Sequence, residues 1–254
     1  MNFMQRTTTL LAAWLMAVAV GAAQEKPEDA SRILMCIPLG VLPGQTTKVT
    51  ARGMLLEGAN EVKTADSRVQ VKLISQGKAV VPGNQNAQKV GDNQVEFEVI
   101  TPADYPPGNL DVVVATPKGE AKYSLPIGGA APTVAEMEPN PGFKQAQAIA
   151  IPQVVIGGIE NPGDVDVYAI DVQAGQKLEL EVHAERLGSG LDALISIYDS
   201  QAQLIATHDD LPDSRDARLE VTVATAGKWF VVVQDANDQG GPAHPYRLVV
   251  KALP

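Results

Sequence analysis

Long amphipathic runs with a 3.6-residue period are missing from this chain, whereas short runs that alternate apolar and polar side chains recur throughout. A helix needs the first pattern. A half-buried strand needs the second, because successive side chains of a strand point to opposite faces. In 94–100, Val95, Phe97 and Val99 face one way and Glu96 and Glu98 the other. In 177–187, Leu178, Leu180, Val182 and Ala184 share one face, while Glu179, Glu181, His183 and Glu185 share the opposite one. Val69, Val71 and Leu73 make a third such row. One face of each strand is therefore core and the other wet, which makes the expected fold all-β and built from sandwiches.

The pattern predicts strands near 46–52, 68–75, 94–100, 109–116 and 121–127, then near 154–159, 165–172, 177–184, 193–199, 204–207, 218–223, 228–234 and 246–251. Five Pro-Gly pairs punctuate them: Pro43-Gly44, Pro82-Gly83, Pro107-Gly108, Pro141-Gly142 and Pro162-Gly163. Each suits a type II turn, with Pro setting the second position and Gly taking positive φ at the third. The segment 127–142, IGGAAPTVAEMEPNPG, breaks the strand rhythm with small residues and three prolines, and marks a domain boundary.

The first residues carry one positive charge, Arg6, and no acid, and the run from Leu10 to Val20 is apolar and uncharged. Gly21, Ala22 and Ala23 follow, as in a cleavable signal peptide, so cleavage is expected after Ala23. The run falls short of the roughly 20 residues of a membrane-spanning helix. An uncleaved anchor is the alternative, and either way the chain is expected to be exported, to a periplasmic or extracellular location. No membrane span is expected after cleavage. Cys36 is the only cysteine, so no intrachain disulfide can form; it is expected to be buried, with acylation at Ile33-Leu34-Met35-Cys36 as the weaker alternative. The net charge of −10 opposes binding to phosphate backbones, so nucleic acid is not an expected partner.

The second half resembles a known family. EPNPGFKQAQAI, GGIENPGDVDVYAIDVQAGQKLELEV, SGLDALISIYDSQAQLIATHDD, AGKWFVVVQD and PYRLVV follow in order the motifs of the bacterial pre-peptidase C-terminal (PPC) domain, over about 136–250. The resemblance implies a jelly-roll-like β-sandwich of exported proteins, serving secretion or attachment. The first half, through IPLGVLPGQTTKVTARGMLLEGANEV and PPGNLDVVVATPKGEAKYSLPIGG, resembles immunoglobulin-like IPT/TIG modules. The combination resembles exported proteins of planctomycete-type bacteria. The expected organisation is a signal peptide at 1–23, a charged segment at 24–32, an Ig-like sandwich at 33–128, a linker at 129–142 and a PPC-like sandwich at 143–254.

Glu136, Glu138 and Asn140 alternate in a segment kept extended by Pro139 and Pro141, so their side chains share one side. Asp164 and Asp166 alternate likewise beyond the turn Asn161-Pro162-Gly163-Asp164. Carboxylates and an amide carbonyl are the donors that Ca²⁺ prefers. The PPC resemblance implies that an acidic linker of the form E-x-E-x-N, with aspartates of the following loop, holds calcium; linker residues 136–142 would then form part of the site. The other reading of the same residues is a solvated acidic segment and an ordinary Asp in a turn. A second acidic loop, with Asp209, Asp210, Asp213 and Asp216, also holds Arg215 and Arg218 and reads as an internally paired, solvated loop.

No catalytic grouping is visible. His183, His208 and His244 show no zinc-protease spacing, and Ser189 lacks the strand-to-helix elbow of a nucleophile. His183 reads as a surface residue and His244 as part of a Pro-Gly loop. Trp229, Tyr168, Tyr198 and Tyr246 alternate with aliphatic positions and read as core, with ligand contact the alternative for the tyrosines. The expected function is that of a non-catalytic binding or attachment module for an extracellular protein, matrix or cell-wall component; the alternative is an accessory or targeting subunit of a secreted peptidase.

Overall fold

The computed structural model describes residues 30–83 and 85–254. The expected signal peptide and residues 24–29 of the charged segment lie outside the described residues. The first half contains β1 (Arg32–Ile37), β2 (Thr46–Met54), β3 (Glu61–Thr64), β4 (Gln70–Lys78), a single helical turn α1 (Ala87–Val90), β5 (Asn93–Ile100), β6 (Gly108–Thr116) and β7 (Gly119–Ile127). The second half contains β8 (Thr133–Ala135), β9 (Gln147–Ala148), β10 (Gln153–Gly158), β11 (Val165–Val172), β12 (Lys177–His183), β13 (Ala193–Tyr198), β14 (Leu204–His208), β15 (Arg218–Thr222), β16 (Gly227–Asp235) and β17 (Pro245–Leu253).

Among the described residues, these strands make two sandwiches in tandem, as expected. Sheet β1-β2-β5-β4 faces sheet β3-β6-β7, and sheet β15-β12-β17-β10-β8 faces sheet β14-β13-β16-β11-β9. The alternating rows do the predicted work. Val95, Phe97 and Val99 are fully buried in the first core, and Leu178, Leu180, Val182 and Ala184 in the second. Burying each such aliphatic or aromatic side chain stabilises by about 1.5–3 kcal/mol, before its lost entropy is counted. Trp229 lies in the second core, as its strand neighbours predict.

Several expectations change. Strand β1 was not among the predicted strands; it pairs Cys36 with Ala51 and buries Met35 together with Cys36, whose burial was expected and pushes its thiol up, as suits an inert core residue. In the row at Val69, Val71 and Leu73, Val69 is buried and Val71 and Leu73 are half-buried against the same core, β4 being the edge strand of its sheet. Glu179 sits on the outer face of β12 yet is covered, because Lys251 and Arg218 pair with it from the flanking strands. Of the Pro-Gly pairs, Gly44 and Gly163 take the positive φ of a type II turn (77° and 78°), and Gly163 does so in a turn closed by Asp164 N donating to Asn161 O. Gly108 opens β6 at φ 156°, and neither Gly83 nor Gly142 has positive φ. The segment 129–142, read as a linker, supplies β8, which pairs in parallel with β10. Its small residues and prolines hid a three-residue strand whose pairing lies wholly in the second sandwich.

The two sandwiches share a polar and an apolar seam. The buried Arg247 guanidinium of β17 donates to Leu39 O at 3.0 Å and to Gly128 O at 2.6 Å, both in the first half. Tyr123 OH donates to Leu187 O, and Gln85 Nε2 to Gly190 O. Met35, Val90 and Ala243 form a small apolar cluster from both halves.

Candidate metal centre

The centre is built on the strap that follows β8. Glu136 N donates to Ile156 O, carrying the strand pairing one residue past Ala135. Gln147 then clamps the strap from β9: its Oε1 accepts from Met137 N and its Nε2 donates to Ala135 O. Val167 N donates to Asn140 O, which ties the far end to β11. Held this way, the alternating residues converge. Asn140 Nδ2 donates to Glu136 Oε1 at 3.0 Å, and Asn140 N donates to Glu138 Oε2 at 2.8 Å.

From β11, Asp166 enters the same cluster; carboxylate oxygens of Glu136, Glu138 and Asp166 all lie within 4.8 Å of one another. Asp166 and Asn140 are fully buried, Glu136 is half-buried and Glu138 is exposed. Of the five residues expected to form the site, four therefore meet. Asp164 stands aside: its Oδ2 accepts from Glu160 N and its Oδ1 from Val165 N, so its carboxylate closes the turn before β11.

Two tyrosines complete the cluster. Tyr168 OH donates to Glu136 Oε1 at 2.6 Å, Tyr246 OH contacts Asp166 Oδ2 at 2.7 Å, and the two hydroxyl oxygens are 2.5 Å apart. Tyr246 OH also reaches Glu136 Oε1 at 3.1 Å, so both tyrosines touch that carboxylate. The Asp166 carboxyl is pushed well above the ordinary carboxylate range, first by burial and then by the neighbouring Glu136. Burial likewise raises Glu138 and both tyrosines.

Two acceptor atoms in this cluster, Asn140 Oδ1 and Asp166 Oδ1, are buried with no hydrogen-bond partner. Leaving such an atom unsatisfied costs about 1–3 kcal/mol, more if it is charged. Both are oxygens, and with the Glu136 and Glu138 carboxylates they make an all-oxygen set of the kind that hard divalent cations take, Ca²⁺ above all, since it tolerates irregular geometry. The residues present fit such an ion.

Tyr168 and Tyr246 lie in the core, as their alternation with aliphatic positions predicts, but alternation does not reveal where their hydroxyls go. The signal was available: a tyrosine on the apolar face of a strand still needs a partner for its O–H. Gly157 was also missed. A Cβ there would stand 2.6 Å from Glu136 Oε2 and 2.9 Å from the Tyr246 hydroxyl, so the β10 backbone can lie against the cluster only as glycine.

The other polar groups follow different rules. In the second acidic loop Asp216 is buried and accepts from Ala184 N, Glu185 N and Arg186 Nε. Ion pairing inside the segment 208–220 is limited to Arg218 with Glu220; Arg218 also reaches Glu179 and Arg215 reaches Glu185, because the adjacent strand and turn offer acids within side-chain reach. His244 lies in the Pro-Gly loop before β17, as expected, and is fully buried there, whereas His183, expected at the surface, is half-buried beside Glu181. Ser189 is buried, donating to Ala243 O and accepting from Leu191 N.

Residues 164–235 match the family model of the bacterial pre-peptidase C-terminal domain, so the resemblance read in the second half holds over that stretch. The match includes Asp164, Asp166 and Tyr168 and stops short of Glu136, Glu138 and Asn140. Among solved structures, the pre-peptidase C-terminal domain of a collagenase from Bacillus anthracis is similar at 19% identity over 46% of this chain and 100% of its own, with a TM-score of 0.35. The g-type lysozyme inhibitor PliG of Aeromonas hydrophila, a periplasmic protein, is similar at 18% identity over 42% of this chain and 99% of its own, with a TM-score of 0.32. SGBP-B of Bacteroides ovatus, solved with a mixed-linkage heptasaccharide, is similar at 8% identity over 78% of this chain and 72% of its own, with a TM-score of 0.24. No curated protein matches the chain.

Proposed function

We propose that this chain is an exported, non-catalytic binding or attachment module, in which calcium held by Glu136, Glu138, Asn140 and Asp166 fixes the strap between the two sandwiches. The observation that carries the calcium reading is the pair of buried, unpartnered oxygens, Asn140 Oδ1 and Asp166 Oδ1, beside two further carboxylates. A bound cation would supply positive charge that offsets the burial of the Asp166 carboxylate beside Glu136. The residues of the chain do the rest: Tyr168 and Tyr246 orient the carboxylates, Gln147 holds the strap to β9, and Asp164 keeps the turn before β11 closed.

The binding reading is supported by the family match and by the burial or pairing of Ser189, His183 and His244 away from any nucleophile-and-base arrangement. The expected ligand is an extracellular protein, matrix or cell-wall component. The family match also favours a second reading, an accessory or targeting subunit of a secreted peptidase. A pulldown from the exported fraction of the source organism, run in calcium and in chelator, tests both. Calcium-dependent capture of wall or matrix material supports attachment, and capture of a peptidase supports the second reading; equal recovery of nothing under both conditions contradicts each.

A further inference from the structure

We infer that the cation of this centre keeps coordination positions open to the cleft between the two sandwiches, where a main-chain carbonyl of an aliphatic peptide segment completes its shell. The inference rests on the calcium reading above and goes beyond it by naming where, and with what chemistry, the module binds.

The centre is closed on one side and open on the other. Asn140 and Asp166 are fully buried, whereas Glu136 and Glu138 also line a cleft of about 580 Å³. That cleft is bounded by Ile37 and Pro38 of the first sandwich and by Ile156, Ile159 and Pro242 of the second. Ca²⁺ takes six to eight oxygens. Glu136 Oε1 already accepts from Asn140 Nδ2, Tyr168 OH and Tyr246 OH, and its Oε2 from Gly158 N; Glu138 Oε2 accepts from Asn140 N. These bonds hold the protein's oxygens in place and limit how many can turn to the ion. A further donor would approach from the cleft, the side lined by Glu136 and Glu138.

Charge and wall chemistry select the ligand. Three carboxylates already exceed the charge of one divalent ion, Glu160 adds a fourth to the cleft wall, and no Lys or Arg lines it. A further carboxylate is therefore repelled, and a neutral oxygen donor is favoured. The wall carries aliphatic and proline side chains and no aromatic ring on which a sugar could stack. A peptide carbonyl flanked by aliphatic side chains meets both conditions.

Tb³⁺ bound to the full chain reads the shell directly, since Tyr168 and Tyr246 touch Glu136 and can sensitise its luminescence. Decay lifetimes in H₂O and D₂O count the coordinated waters. The expected result is calcium-competed luminescence with about two or more waters on the ion. That count should fall by about one when the capped peptide acetyl-Ile-Pro-Ile-amide is added, and stay constant with methyl mannoside. In Ile37→Trp, which fills the cleft wall away from the carboxylates, Tb³⁺ should still bind but the peptide response should vanish. A water-free ion, a response to the mannoside alone, or an unchanged count with peptide overturns this inference while leaving the cation site standing. Absence of tyrosine-sensitised luminescence overturns both.

Discussion

Tyr246, on β17, meets Asp166, on β11, through a hydroxyl-to-carboxylate contact of 2.7 Å that joins the two facing sheets of the second sandwich. The contact is buried and lies beside a second carboxylate and a second tyrosine, so its charge must be balanced by a proton or a cation.

Replacing Asp166 with Asn keeps an acceptor for Tyr246 and removes the charge. In chelator, Asp166→Asn is expected to melt no lower than the wild type. In calcium at about 100 times its dissociation constant, the wild type should gain about 2.7 kcal/mol and the variant nothing. Differential scanning calorimetry of both proteins with and without calcium checks this; an equal gain in the variant would show that the ion binds elsewhere.

Gly157→Ala should destabilise by about 1–3 kcal/mol, the ordinary cost of overpacking, because the new methyl meets the Glu136 carboxylate and the Tyr246 ring. Urea unfolding measures the loss. A midpoint equal to that of the wild type would mean that the strap can shift without cost.

Much of this was legible in the sequence, and the reasons are specific. Val95, Phe97 and Val99, or Leu178 through Ala184, declare strand and face together, because alternation is a local property. Glu136, Glu138 and Asn140 were legible for the same reason, with Pro139 and Pro141 enforcing extension. What stayed hidden depends on partners distant in the chain. The choice of Asp166 over Asp164 is set by the turn before β11, where Glu160 N and Val165 N engage the Asp164 carboxylate, and the roles of Tyr246 and Gly157 by the pairing of β10 with β17. Strand β8 carries too few residues to announce a period, and Glu179 is buried only because Arg218 and Lys251 arrive from other strands.

Arg247 predicts how far the two sandwiches depend on each other. Its guanidinium serves Leu39 O and Gly128 O, and burial lowers its pKa, so it is a desolvated cation held by carbonyl dipoles. Arg247→Met keeps the aliphatic stem and strands both carbonyls, and should cost about 2–4 kcal/mol. Urea denaturation of the variant is expected to show the loss, with the first sandwich losing stability along with the second; an unchanged transition would make the seam incidental.

His244 predicts acid sensitivity. Burial lowers its pKa below 6.5, against the pull of Asp235, while Arg215 adds to the lowering. Below pH 6.5 the unfolded chain therefore takes up a proton that the folded chain refuses. Stability is undiminished above that pH, falls as the pH drops through it, and stops falling on this account once the pH is below the folded value. Half-buried His183 is lowered too and adds in the same direction. Between pH 7.5 and 5 the melting temperature of the wild type should fall relative to that of His244→Gln, the contributions of Asp166 and other shared groups cancelling in the comparison. Equal slopes in the two proteins would remove His244 from the explanation.

The central claim is an ion within reach of four named side chains, and crystallography on calcium-grown crystals tests it most directly. The account predicts an anomalous difference peak with Asp166 Oδ1, Asn140 Oδ1 and oxygens of Glu136 and Glu138 at about 2.3–2.6 Å. Crystals grown in millimolar calcium that show no peak there, with Asp166 still hydrogen-bonded to Tyr246 alone, would contradict it.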